Sequence, residues 1–417
     1  MRHYAKPTTW VTPTHHRKLA VSLFRPTPLK LGVYYATLYV GSGVGTPYIS
    51  VWLRGHGLTG GAIGVILAAP MLARVISGPA MAVWADGFEL RRTALILMGG
   101  LSALGYGLLM ATSGFWPWLA AWFLGVSAYW VCSPLADVIT LRAGQREGFA
   151  YAFPRGVGSA AYVIANVVAG ALIPRVGPDV VVWWITAAAI ANMLGAWLLL
   201  PAERVVEDGA RLAGRERLAE TGRLLRDPTF MLMVLSVALI QAAHAFYYAF
   251  STLIWRAQGI QPGWSGLLWG LGVAVEVLFL WLGEPLRRRL GARRLLVLGG
   301  VGSLVRWTAL AFSPPLWLLF PLQALHALSF TATFVASLEL TEAMAPRGSA
   351  SSAQSVNAGL SFGLMTGAAT LLSGPLYDHV GPFGYLAMSG LAALGLAGAW
   401  RLYRRPSPTA PARMARS

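Results

Sequence analysis

Twelve apolar runs, each at least 20 residues long and closed by Gly, Pro or charge, fill this 417-residue chain. They lie at about 31–53, 62–84, 93–112, 115–140, 151–175, 179–200, 229–257, 264–286, 293–313, 315–341, 350–376 and 381–403. A helix rises about 1.5 Å per residue and a bilayer's hydrocarbon core is about 30 Å thick, so each run is long enough to cross it. The only long polar segment, 203–227, divides the runs six and six, and it is helix-forming but too charged to enter lipid. The sequence therefore predicts an all-α membrane protein of twelve transmembrane helices in two six-helix, pseudo-symmetric halves. The expected organisation is a basic N-terminal segment over 1–30, a first half over 31–200, a linker over 201–228, a second half over 229–403 and a tail over 404–417. Composition agrees: 56% hydrophobic and 12% charged residues are the proportions of a polytopic membrane chain, not of a soluble one.

The formal net charge of +17 might suggest nucleic acid, but the arginines cluster in short gaps between apolar runs and form no continuous solvated face. They read as topological signals. With the N-terminus inside, 27 Lys and Arg fall in inner segments, three outside (Arg54, Arg175, Arg256) and three within spans (Arg74, Arg155, Arg306). The positive-inside rule then predicts a multi-pass protein of a bacterial-type inner membrane with both termini cytoplasmic. Residues 1–30 contain no apolar stretch, so no cleavable signal peptide is expected. The single cysteine, Cys132, allows no disulfide and reads as a small buried hydrophobe. His15 and His16 lack further ligands for a metal. The glycine-rich strings GSGVG from Gly41 and GLGVAVE from Gly270 lie inside spans and read as packing glycines. No catalytic triad, phosphate loop or ATP site is recognisable, so no enzyme and no cofactor is expected, and a monomer in the bilayer suffices.

Four ionisable residues, His244, Glu276, Arg306 and His326, sit deep in the second-half runs. Counted from the helix starts at about 1.5 Å per residue, each lies roughly 17–22 Å along its helix, near the bilayer midplane. Charges at that depth are expensive and usually functional. Glu276, among small and apolar neighbours, suits a proton carrier, because a carboxylate charge there is poorly solvated; the alternative is a static ion pair with Arg306. Arg306 stays charged and needs an anionic partner, a hydrated cavity or a substrate anion. His326 can relay protons or orient Glu276, or be a hydrogen-bonded core residue.

Span seven carries Gln241, His244, Tyr248 and Ser251 on one helical stripe, flanked by Tyr247. Such a stripe forms either a cavity wall or interhelical hydrogen bonds, not a lipid face. In the first half Arg155, Ser159, Tyr162 and Asn166 form a similar stripe, and Tyr35 and Tyr39 share a face of span one. Asp137 lies at a depth like that of Arg155, and the pair reads as a cytoplasmic gate or as a structural bridge. No partner for Arg74 can be named from the sequence.

The halves repeat. LRRTALILMGGLSALGYGLLMATSGFWPWL from Leu90 matches ARRLLVLGGVGSLVRWTALAFSPPLWLLF from Ala292 in its charged start, glycine pair and Trp-containing turn. Parallel six-span repeats build the two rocking halves of many secondary transporters. The loop AVWADGFELRR, with Asp86, Arg91 and Arg92, and its counterpart GEPLRRRLGARR resemble the loop motif of the major facilitator superfamily, although Ala82 and Gly87 depart from it. QAAHAFYYAFSTLIW, GLLWGLGVAVEVLFL, LVRWTALA and LQALHALSF resemble the 3-phenylpropionate transporter family of proton symporters. Glu276, Arg306 and His326 on successive spans are also similar to the coupling set of the more distant lactose-permease type, which has a glutamate where this chain has Ser329.

The resemblance implies proton-coupled symport of a small aromatic organic acid by alternating access. On that reading Glu276 and His326 couple protons and Arg306 takes the carboxylate. His244, Gln241, Tyr247, Tyr248, Tyr35, Tyr39, Tyr162 and Asn166 build the substrate site. Asp86, Arg91, Arg92, Asp137 and Arg155 gate it. A proton-coupled exporter of drugs or metabolites on the same fold is the nearest alternative, and a non-transporting membrane sensor a remote one.

Overall fold

In lipid a chain must satisfy its backbone polar groups internally, and this one does so with helices. The computed structural model describes residues 26–202, 222–345 and 350–405. The basic segment to residue 25, linker residues 203–221, the tail from residue 406 and the side chain of Asp86 lie outside the described residues.

The first six helices are α1 (Pro26–Gly55), α2 (Gly60–Asp86), α3 (Arg91–Ala111), α4 (Phe115–Glu147), α5 (Ala152–Val176) and α6 (Val180–Leu199). The last six are α7 (Pro228–Ala257), α8 (Pro262–Leu282), α9 (Ala292–Ala311), α10 (Leu316–Met344), α11 (350–380) and α12 (Gly384–Arg404). Among the described residues ten segments are long and apolar enough to cross a membrane. One of them, Ser352–Arg404, contains both α11 and α12, divided at Gly381 with φ 54°. Helix α1 is not among the ten. Splitting that segment and adding α1 gives, among the described residues, a helical rod at each of the twelve apolar runs.

Three rods of the last six are irregular. Helix α7 breaks at Ala243 and His244 between Pro228–Ala242 and Ala245–Ala257. Helix α10 passes through a π-helical turn at Ala327–Ala332, and α11 through another at Gly359–Met365. Such turns are frequent at functional sites, and the first of these follows directly on His326.

The sequence repeat has a structural counterpart. A Cβ on Gly99 of α3 would meet Met193 Cα on α6 at 2.9 Å, and one on Gly300 of α9 would meet Leu396 Cβ on α12 at 3.0 Å. The glycine pair thus lets the third helix of each set lie against the sixth. The arginines at the start of each repeat do equivalent work. Arg92 donates to the carbonyls of Trp197, in the last turn of α6, and Leu200, just beyond its end, at 3.4 Å each, and Arg293 donates to the carbonyl of Arg405 beyond the end of α12, at 2.7 Å. Each guanidinium meets the carbonyls that a helix C-terminus leaves unpaired and the negative end of its dipole.

The two sets meet along α2 with α11 and α5 with α8. Glycines permit the approach: Gly374 lies against the backbone of Gly60 and Gly61, Gly64 against that of Thr370, and Gly170 and Gly266 against Pro262 and Asn166. Polar contacts join the same region. Asp378 accepts the backbone N–H groups of Gly60 and Gly61 at 2.8 Å each and lies 3.8 Å from Arg54, while Tyr48 donates to the Pro262 carbonyl at 3.5 Å. All these residues lie toward the end opposite residues 26 and 405, and that end is closed.

Candidate functional site

Between α1, α5, α7, α8 and α10 lies a cavity of about 280 Å³. Tyr39, Arg155, Ser159 and Tyr162 face it from the first six helices, and Tyr247, Tyr248, Trp269, Glu276, His326 and Phe330 from the last six. Glu276 keeps 27% of its side-chain surface and Arg155 37%, so both are reachable from within the cavity.

The hydrogen bonds behind this wall fix which ring nitrogen of each histidine carries the proton. Arg306 Nη1 donates to His326 Nδ1 at 2.9 Å. A guanidinium has no acceptor, so Nδ1 must carry a lone pair, and a neutral His326 then holds its proton on Nε2. That nitrogen faces Glu276 Oε2 at 3.6 Å. The imidazole is thus oriented by Arg306 on one side and offers an N–H to a carboxyl on the other.

Arg306 is fully buried, its guanidinium centre 4.6 Å from the ring centroids of both Tyr247 and Trp307. It also donates to Ser329 Oγ at 3.2 Å and to Gln323 Oε1 at 2.7 Å, and Gln323 Oε1 accepts from Tyr247 as well, at 3.1 Å. His244 Nδ1 faces the carbonyls of Ile240 and Gln241 at 3.2 Å each and must donate to them, which leaves its Nε2 to accept from Ser329 Oγ at 3.2 Å. Ser329 therefore passes a directed chain from Arg306 to His244.

Opposite, Asp137 Oδ1 accepts from Tyr35 at 2.5 Å and Tyr151 at 2.9 Å, with Arg155 Nη1 at 3.7 Å. Arg155 also donates to Ser133 at 3.3 Å and lies over the rings of Tyr39 and Tyr35 at 4.6 and 5.7 Å. Asp137 and Arg155 belong to α4 and α5, so their contact stays within the first six helices.

The structure sorts the sequence candidates. Tyr39, Tyr162, Tyr247, Tyr248, Glu276 and His326 line the cavity, and so does Arg155. Arg306, His244, Gln241, Tyr35 and Asn166 do not: Arg306 and His244 form the buried layer behind it, Gln241 donates to the Phe330 carbonyl at 3.4 Å, Tyr35 serves Asp137, and Asn166 is fully buried beneath Gly266. The static Glu276–Arg306 pair is not formed, because His326 stands between them. Arg92 caps α6, Arg91 opens α3, and Arg74 lies over the Trp130 ring at 5.1 Å. Sequence reasoning missed Gln323, Trp269 and Phe330 as parts of the site and noted Ser329 only as a departure. For Gln323, Ser329 and Phe330 the available signal was their spacing around His326 on α10, and for Trp269 its place two turns before Glu276 on α8.

A family model described as the MFS_1 like family matches residues 29–387. The chain belongs to that family. Among curated proteins it is 29% identical over 381 residues to the probable 3-phenylpropionic acid transporter of Escherichia coli (strain K12), covering 88% of this chain and 96% of that one. It is 25% identical over 354 residues to the maltose permease of Geobacillus stearothermophilus, covering 83% and 87%. Among solved structures the nucleoside transporter NupG superposes with a TM-score of 0.79 at 14% identity, covering 92% of this chain and 100% of that one. A bacterial homolog of the human lysosomal transporter Spinster, inward-facing and unoccupied, superposes with a TM-score of 0.68 at 16% identity, covering 93% and 98%. These findings bear out the resemblance to the major facilitator superfamily and its 3-phenylpropionate transporter branch, and with it a multi-pass membrane transporter, not an enzyme.

Proposed function

We propose that this transporter is a proton-coupled symporter of a small organic acid with an aromatic or similarly apolar body. The reading rests above all on one arrangement: the Glu276 carboxyl against the Nε2–H of a histidine whose other nitrogen Arg306 holds, in the wall of a cavity faced by Arg155. Glu276 takes the proton. Once neutral, it no longer attracts Arg155 or His326, and Arg155 is free to pair with a carboxylate, which a guanidinium meets in bidentate fashion. Arg306, one layer behind, holds His326 in place and meets an anion only if that histidine moves. The 29% relative's printed name supplies the chemical class of the acid.

The distribution of Lys and Arg supports cytoplasmic termini in an inner membrane. On that orientation the closed Gly60 end faces outward and this is the inward-open member of an alternating pair. A membrane potential supplies about 2.3 kcal/mol per charge per 100 mV, and each pH unit about 1.4 kcal/mol. One proton carried with one carboxylate moves no net charge, so the pH gradient drives that uptake, and the membrane potential adds to it only when a second proton accompanies each anion.

Proton movement in proteoliposomes tests the proposal, with 3-phenylpropionate, cinnamate, benzoate, aliphatic acids, maltose and nucleosides offered in turn. An acid is expected to drive proton entry, Glu276→Gln to abolish coupled uptake while sparing exchange, and Arg155→Ala to raise KM at least tenfold. Responses to neutral compounds alone, or wild-type coupling in Glu276→Gln, would sink the reading. Acid moving outward against an imposed proton gradient would make the protein an exporter.

A further inference from the structure

A second chamber, of about 260 Å³, lies beside the cavity, lined from α1, α2, α3, α4, α6, α7 and α11. Its wall is aromatic, with Tyr106, Trp122 and Trp130, and the space exists because small residues face them, among them Gly45, Ala189 and Ala249. Its lining includes no Asp, Glu, Lys, Arg or His, whereas the neighbouring cavity presents Arg155, Glu276 and His326. The two spaces share Thr46 and Tyr248 as walls, so one ligand can lie across both. An apolar cavity of about 150 Å³ already takes up benzene. This one is larger and is lined by rings that favour stacked or edge contacts with another ring.

We infer that this chamber is the subsite for the ring or branched apolar end of the transported molecule, with its ionised head held beyond Thr46 and Tyr248 at Arg155. The inference rests on the anion-symport reading for the head and adds the place and residues that select the tail. A charged head finds no partner in the chamber, so only this orientation buries the tail without stranding a charge. The head therefore points toward the Arg155 end of the cavity and the ring toward the closed end. Affinity should rise about fourfold for each methylene added to the tail until the chamber is full.

Calorimetric binding to the purified full-length protein separates the two readings. The ligands are propionate, butyrate, 3-phenylpropionate and the uncharged 3-phenylpropanamide, offered to wild type, Ala189→Leu, Ala249→Leu and Arg155→Ala. Filling the chamber from either side is expected to cut 3-phenylpropionate affinity by at least thirtyfold while leaving propionate within twofold. Unchanged propionate binding also shows that the variants are folded. If 3-phenylpropionate binds both filled variants as well as wild type but is lost in Arg155→Ala, the chamber assignment is overturned and the anion reading stands. If the amide binds as tightly as the acid and only chamber filling weakens it, the chamber stands and the anion reading falls. Binding of no ligand by the wild type overturns both.

Discussion

Removing the Asp378 carboxylate should open the closed end of the transporter. Its two oxygens accept the Gly60 and Gly61 amides at 2.8 Å each, in the first turn of α2, where backbone donors have no partner within the helix. Hydrogen bonds to a charged group contribute about 1.5–3 kcal/mol each. Asp378 keeps 27% of its side-chain surface, so the lower figure applies, and Arg54, 46% exposed and 3.8 Å away, adds little. Asp378→Ala therefore removes about 3 kcal/mol from the closed arrangement, a shift of about 150-fold in the closed-to-open ratio. Asp378→Asn keeps one acceptor and should shift it about tenfold. The assay is labelling of Ser265→Cys by a membrane-impermeant maleimide. Ser265 is 1% exposed, among Tyr48, Thr252 and Pro262 at the closed end, and the native Cys132, also 1% exposed, serves as a blank in the parent protein. Labelling rates in the order Ala, Asn, Asp are expected. Equal rates in all three would refute the claim that this carboxylate holds the end shut, and equal rates for Ala and Asn would refute the two-oxygen accounting.

Gly374→Val should have a larger effect at the same place, because any Cβ there runs into the Gly60 carbonyl and meets Gly61 Cα at 2.8 Å; transport should vanish while the protein still inserts, and normal transport would contradict the close approach. Arg92→Ala and Arg293→Ala should each cost about 1 kcal/mol and lower the melting temperature by similar small amounts, with transport rates within twofold. Abolished transport at an unchanged melting temperature would restore Arg92 to a gating role. Gln323→Leu strips Arg306 Nη2 of its acceptor and should cost about 2 kcal/mol, whereas Ser329→Ala leaves Nη1 on His326 and should raise KM less than fivefold. Transport kinetics showing the reverse order would mean that the chain through Ser329 to His244 matters more than the hold on Arg306.

The helices were legible because lipid demands long apolar runs, and eleven of the twelve rods fall within the ten apolar segments. Helix α1 falls short because Tyr39 and Thr46, which line the cavity, together with Tyr34, Tyr35 and Ser42, lower its mean hydropathy. The breaks were not legible. A straight α7 would put Gln241, His244 and Tyr248 on one stripe, but the interruption at Ala243 and His244 sends Tyr248 to the cavity and leaves the other two behind it. The Glu276–His326 contact could be anticipated from two ionisable groups at one depth, and the Arg155–Asp137 contact likewise. The tautomer of His326 could not, since it follows from Arg306 donating to Nδ1, a matter of side-chain direction and not of spacing. The aromatic chamber escaped notice because tryptophans and alanines in a membrane helix are ordinary, and only the convergence of seven helices gathers them around one space.

The position of Arg306 ties these observations together. A buried guanidinium is costly unless its donors are met, and the Nη groups of this one have acceptors in His326, Gln323 and Ser329 while two adjoining aromatic rings lie against it and Nε has no hydrogen-bond partner. One of those rings belongs to Tyr247, which lines the cavity and stacks on Trp269 at 4.6 Å. The other belongs to Trp307, which lies parallel to Tyr385 of α12 at 5.9 Å. A change at Glu276 therefore reaches Arg306 through a single imidazole, and Arg306 in turn touches α7, α10 and the packing of α9 on α12. Two of those four, α7 and α10, are the rods with a break or a π-turn beside the histidines. A regular helix resists local rearrangement, whereas an interrupted one can change there without unwinding elsewhere. Protonation chemistry and backbone irregularity thus meet at the same two positions, His244 and His326, which is where a proton-driven change of shape would have to begin.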